Sequence, residues 1–153
     1  MQDQPIVVGY RHTGIIAKDI NKSLCFYRDL LGLEVAQDFY DSSDYINEIT
    51  GLSGAKVHMI KLKAKDGTVI ELLDYETHPT SLADQPVHNV GACHLAFQVT
   101  DIENAYDWLS SKDVSFLSKP ILSSEGIGKV CFCLDPDKVR IELVEIMKPH
   151  LAL

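Results

Sequence analysis

His12-Thr-Gly-Ile-Ile-Ala-Lys-Asp19-Ile20 has a counterpart in His94-Leu-Ala-Phe-Gln-Val-Thr-Asp101-Ile102. In both stretches an aspartate follows the histidine by seven positions, and a helical pattern opens directly after it. Ile20, Leu24, Tyr27 and Leu31 recur at three- and four-residue intervals, as do Ile102, Ala105 and Leu109. That spacing is what a helix needs to bury one face. Asp19 and Asp101 are natural N-caps, because each offers a carboxylate to the unpaired N–H groups of a first turn. Gly32 suits the end of the first helix, where a left-handed residue closes the last turn.

Extended runs follow each helix. In the first half they lie near 33–39, 55–63 and 68–75, with Asp66-Gly67 as a tight-turn signal between the last two. In the second half they lie near 114–117, 127–134 and 139–146, with a turn at Asp135-Pro136-Asp137. Each half therefore predicts a strand, a helix and three strands. The chain reads as one α+β domain over residues 1–153, built from paired βαβββ modules that form a cupped mixed sheet. The modules are expected over about 7–77 and 90–147, with a polar linker over about 78–89 that carries two prolines.

The composition agrees with a folded domain. The chain has 153 residues, 46% hydrophobic and 24% charged, with a net charge of −8. A length of this order buries a working core without disulfides or other staples. The acidic balance and the lack of a Lys/Arg cluster argue against nucleic acid as a partner, since phosphate binding needs concentrated positive charge. No run approaches the roughly 20 apolar residues of a membrane span, and the start of the chain does not read as an export signal. A cytoplasmic, reducing setting is expected, with Cys25, Cys93, Cys131 and Cys133 as free thiols. Cys131 and Cys133 lie two apart and should share one buried strand face.

The repeat also pairs Ile70-Glu71-Leu72-Leu73 with Ile141-Glu142-Leu143-Val144. A carboxylate in the middle of an apolar strand is costly unless it faces water or has a partner. If the modules are related by pseudo-twofold symmetry, His12, Glu71, His94 and Glu142 from four strands can converge. Two imidazoles and two carboxylates suit one divalent ion such as Zn, Ni, Co, Mn or Fe. A lone strand histidine is ordinarily structural, and a lone strand glutamate ordinarily faces solvent. Recurrence of both residue types at matching places favours the metal set. His58, His78, His88 and His150 have no counterpart in the repeat and are expected at the surface or in the linker. Thr50-Gly51-Leu-Ser-Gly54 lacks a following GK[ST] and reads as a loop between strands, not a phosphate loop.

With these residues in view, the chain resembles the vicinal oxygen chelate superfamily, which includes glyoxalase I, methylmalonyl-CoA epimerase, and the fosfomycin- and bleomycin-resistance proteins. The resemblance spans nearly the whole chain. Beyond the two His stretches, Ser23-Leu-Cys-Phe-Tyr-Arg-Asp-Leu-Leu-Gly-Leu33 and Asp135-Pro-Asp-Lys-Val-Arg-Ile-Glu-Leu143 carry it. It implies a metal held by His12, Glu71, His94 and Glu142, a small-molecule substrate and a homodimer. The His-Glu-His-Glu set is most similar to glyoxalase I, which implies a metal-dependent lyase or isomerase. Such an enzyme acts on an α-oxygenated carbonyl compound through a metal-stabilised enediolate. Glu142 is then the expected base, with Glu71 as ligand and second acid/base. The alternatives are a 2-acyl-CoA epimerase and a non-catalytic drug- or metabolite-binding protein. Asp74-Tyr75 stands where glutathione-using relatives tend to carry Asn, and Asp137-Lys138 where Asp-Gly is common. Arg11 precedes His12, so strand alternation points it away from the metal. Glu48 lies in a polar segment that can fold over the site, either as a loop base or as a solvated residue.

Overall fold

Residues 6–82 and 86–151 are described by a computed structural model, in which the chain forms two compact units, Met1–Ser81 and Leu82–Leu153. Part of the expected linker falls outside the described residues.

In the first unit the elements are β1 (Thr13–Ile16), α1 (Ile20–Leu24), β2 (Glu34–Asp41), α2 (Asp44–Thr50), β3 (Val57–Lys63) and β4 (Val69–Tyr75). The sheet order is β1-β4-β3-β2, with β1 parallel to β4 and the other pairs antiparallel. The second unit repeats this plan with β5 (His94–Gln98), α3 (Ile102–Ser110), β6 (Ile121–Leu122), β7 (Gly128–Leu134) and β8 (Arg140–Ile146). Its order is β5-β8-β7-β6, again with only the first pair parallel. The α+β class and the paired βαβββ modules are thus as expected, each module carrying one open four-stranded sheet.

Both aspartate caps form. Asp19 accepts from the backbone N–H groups of Asn21 and Lys22, and Asp101 from that of Asn104. A second carboxylate, Glu145 on β8, accepts from Ile102 N–H at 2.9 Å and ties α3 to its sheet. Strand alternation divides each sheet into a helix-covered face and a second face. In the first unit Ile15, Ile60, Leu62, Ile70 and Leu72 fill the covered face, together with Ile20, Phe26 and Tyr27 from the helix. In the second, Cys131, Cys133, Ile141 and Leu143 lie buried with Ile102 and Leu109. The shared buried face expected for Cys131 and Cys133 is therefore found, and burial pushes their thiols up to about 11 and about 12.

Four local expectations need correction. The first helix is not one continuous α-helix: after Leu24 it widens into a π-helical turn over Cys25–Leu30. The looser winding lets the adjacent Phe26 and Tyr27 both turn inward, ring edge to ring face at 5.0 Å, while Leu31 stays half-exposed. The stretch 114–117 is not a strand; it makes a single bridge, Phe116 to Cys133. Pro120 has no N–H to give to a ladder, and pairing resumes after it in β6. The polar segment around Glu48, together with Thr50 from the expected loop, forms α2, which buries Ile46 against Val57 and Met59 and closes on Gly51 at φ 70°. His58 is not a surface residue. It lies on β3 with its side chain 13% exposed, 2.6 Å from Asp38 Oδ1 and stacked on Tyr40 at 4.1 Å. His88 and His150 are exposed as expected, while His78 is half-buried.

Candidate metal centre

His12 is the residue just before β1, and Glu71 is the third residue of β4. The parallel register sets Gly14, not His12, directly opposite Glu71. Since His12 and Gly14 are two apart, both project on the face that carries Glu71. The imidazole reaches along the strand until Nε2 stands 3.1 Å from Glu71 Oε2. The second unit repeats this placement. Ala96 lies opposite Glu142, and His94, two residues earlier, brings Nε2 to 2.9 Å from Glu142 Oε2. The four residues picked from the repeat are therefore joined in two equivalent His–Glu pairs, one per unit. Among the described residues no three His, Cys, Asp or Glu side chains come together.

The pairs differ in their surroundings. Glu71 is one of the few buried charged residues, with 11% of its side chain exposed, whereas that of Glu142 is 20% exposed. Across the antiparallel ladder Glu71 faces Lys61, whose Nζ is 3.7 Å from Oε1, the oxygen that His12 does not approach. Across the same ladder in the second unit Glu142 faces Phe132, and that ring meets His94 edge-on at 5.4 Å. Lys61 was not singled out in the sequence. The signal was available, since strand alternation from the Asp66-Gly67 turn puts it on the face of Glu71.

These donors fit a divalent ion. Neutral imidazole nitrogen and carboxylate oxygen are the donors such ions take. The two N···O spacings, 3.1 and 2.9 Å, are hydrogen-bond contacts that put one nitrogen and one oxygen donor side by side in each unit. His12 Nδ1 is buried with no hydrogen-bond partner among the described residues. The one described polar contact of His12 is with Glu71. The other candidates stay apart from the pairs. Arg11 is exposed. Glu48 is exposed on α2 and its side chain makes no ion pair or hydrogen bond among the described residues, although α2 packs on the same sheet face as Glu71. Gly51 ends that helix rather than opening one, which removes the phosphate-loop geometry.

Comparison with known proteins agrees with this architecture. The profile of the Glyoxalase/Bleomycin resistance protein/Dioxygenase superfamily matches residues 9–143. A lactoylglutathione lyase of Schizosaccharomyces pombe is 30% identical over 140 residues, which cover 87% of this chain but 46% of that protein. The chain thus spans about half the length of that relative. A probable lactoylglutathione lyase of Synechocystis is 30% identical over 135 residues, 88% of this chain and 92% of the other. Among solved structures, a glyoxalase family protein from Bacillus cereus superposes with a TM-score of 0.86 at 21% identity. That match covers 96% of this chain and 99% of the other. At that identity the match speaks for the fold alone.

Proposed function

The chain belongs to the glyoxalase/bleomycin resistance protein/dioxygenase superfamily, and from that premise we propose that it is a metal-dependent lyase or isomerase of the glyoxalase I type. The two modules act as one domain, in a homodimer, on a small α-oxygenated carbonyl compound. The observation that carries this reading is the duplicated His–Glu pair, with spacings of 3.1 and 2.9 Å at matching register positions. His12, Glu71, His94 and Glu142 would hold one divalent ion. When bound, that ion polarises the substrate's carbonyl and stabilises the negative charge that forms as the neighbouring C–H ionises.

The chain's own residues then divide the work. His12 and His94 would each give a ring nitrogen to the ion. Glu71 is the more buried carboxylate, with His12 at one oxygen and Lys61 near the other, which suits a fixed ligand. Glu142 is the more exposed, with His94 near Oε2 and Phe132 opposite in the ladder. It takes the proton from the α-carbon and returns it to the adjacent carbon, so no net proton is consumed. The half-buried Phe132 beside it limits water at the proton-transfer end.

The test is isotope exchange. With metal supplied, the protein in D2O should exchange the α-proton of lactoylglutathione or another α-oxygenated carbonyl compound. Glu142→Gln should slow that exchange by about 100-fold or more, the usual weight of a positioned base. Unchanged exchange in Glu142→Gln removes Glu142 as the base. Sedimentation equilibrium tests the homodimer.

A further inference from the structure

From Lys61 we infer that the substrate carries a negative charge beside its chelating oxygens, and that Lys61 is the residue that selects for it. The inference rests on the metal centre proposed above. Lysines on strands normally extend their ammonium into water, yet the Lys61 side chain is only 20% exposed. Its Nζ lies over the Phe39 ring, 5.6 Å from the centroid, and 3.7 Å from Glu71 Oε1. Register explains this: Gln37, Lys61 and Glu71 stand side by side across β2, β3 and β4, so Lys61 projects on the face of the His12–Glu71 pair.

At 3.7 Å the contact with Glu71 is electrostatic and too long for a hydrogen bond. Among the described residues the Lys61 ammonium makes no hydrogen bond, so its three N–H donors are open to an acceptor at this site. Charge arithmetic gives that acceptor its sign. Two carboxylates balance one divalent ion, and the two imidazoles add nothing. Lys61 adds a positive charge in excess of that set on the Glu71 side. A neutral chelating substrate keeps that excess, whereas an anionic one, such as a 2-hydroxy or 2-oxo carboxylate, cancels it and fills the donors. The second unit has Phe132 at the register position equivalent to Lys61, and its cation, Arg140, stands across from His94 instead.

Glycolate and glycolamide have nearly the same shape and the same vicinal oxygens, and differ by one charge. Mn2+ binding by wild type, Lys61→Met and Lys61→Arg is measured first, by calorimetry. Each probe is then titrated into the Mn2+-loaded proteins. The expected result is that Lys61→Met lowers the glycolate-to-glycolamide affinity ratio about tenfold or more, while Lys61→Arg keeps most of it. A Lys61→Met protein that binds Mn2+ and shows the wild-type ratio overturns the inference. Wild type that binds no metal overturns the metal centre and this inference with it, and the first step alone reveals that. Should Lys61→Met not fold, the wild-type ratio is compared with that of Mn2+-nitrilotriacetate. A ratio no higher than in that complex also overturns it.

Discussion

Gly14 stands directly across the parallel strand pair from Glu71 and places no side chain beside that carboxylate. A Cβ there would meet Leu73 Cδ1 at 3.3 Å, tight but against the flexible end of a side chain. In the second module Ala96 occupies the same place opposite Glu142. Both modules thus keep the position beside the carboxylate small, and the histidine two residues earlier reaches past it.

Size at that position should therefore decide metal binding. Gly14→Ala is expected to bind Mn2+ within about twofold of wild type, whereas Gly14→Val should weaken it about tenfold or more, as displaced ligand supports do. Calorimetric titration of the two variants checks this. Equal affinity in both would show that the space is not needed.

The two helix caps should contribute separately. Asp19 serves two backbone N–H groups, and Asp101 serves one while its other oxygen accepts from the Asn104 side chain. Asp19→Ala and Asp101→Ala should each lower stability by about 1 kcal/mol, read from urea unfolding. The loss should be smaller for Asp101, because Glu145 also holds the first turn of α3 through Ile102 N–H.

Lys138 pays for the turn it occupies. It sits at φ 64°, in the left-handed region, in a turn where the buried Asp135 accepts from Asp137 and Val139 N–H at 2.8 Å each. A side chain there costs about 1 kcal/mol relative to glycine. Lys138→Gly should raise the Tm by a few degrees, since about 1 kcal/mol corresponds to roughly 2–8 °C in domains of this size. Asp135→Ala should lower it.

Much of this was legible in the sequence because the duplication repeats the same physics twice. Asp19 and Asp101 mark helix starts by capping chemistry, and the Ile-Glu-Leu endings mark matching strands. The His and Glu positions followed from that repeat, and the structure joins them two by two. What escaped lies where the modules differ or where tertiary contacts overrule local pattern. Residues 44–50 look polar, but Asp44, the Ile46/Ile49 spacing and Gly51 were sufficient marks of a short helix. Pairing in the 114–122 stretch is governed by Pro120. The burial of His58 comes from its cross-strand neighbours Tyr40 and Asp38, which no window along the chain brings together. Lys61 escaped for the same reason: its meaning depends on Glu71 in the next strand.

The four thiols should divide by burial. Cys25 and Cys93 are exposed, whereas Cys131 and Cys133 are buried and held protonated, with pKa values pushed up to about 11 and about 12. The thiolate is the reactive form, so at pH 8 iodoacetamide should label two cysteines in the native protein and four after unfolding. Because both shifts are upward, raising the pH to 9 should still leave Cys131 and Cys133 unlabelled. Mass spectrometry of the native protein checks both statements.

We propose that both His–Glu pairs hold one divalent ion, and metal stoichiometry tests this most directly. Wild type, His12→Ala/Glu71→Ala and His94→Ala/Glu142→Ala are each titrated with Mn2+ and then assayed for bound metal after gel filtration. About one ion per chain in wild type, lost in each double variant, is the result predicted from two incomplete pairs. Wild type that retains no metal, or a double variant that binds with unchanged affinity and stoichiometry, would contradict it and leave a metal-independent binding protein as the better account.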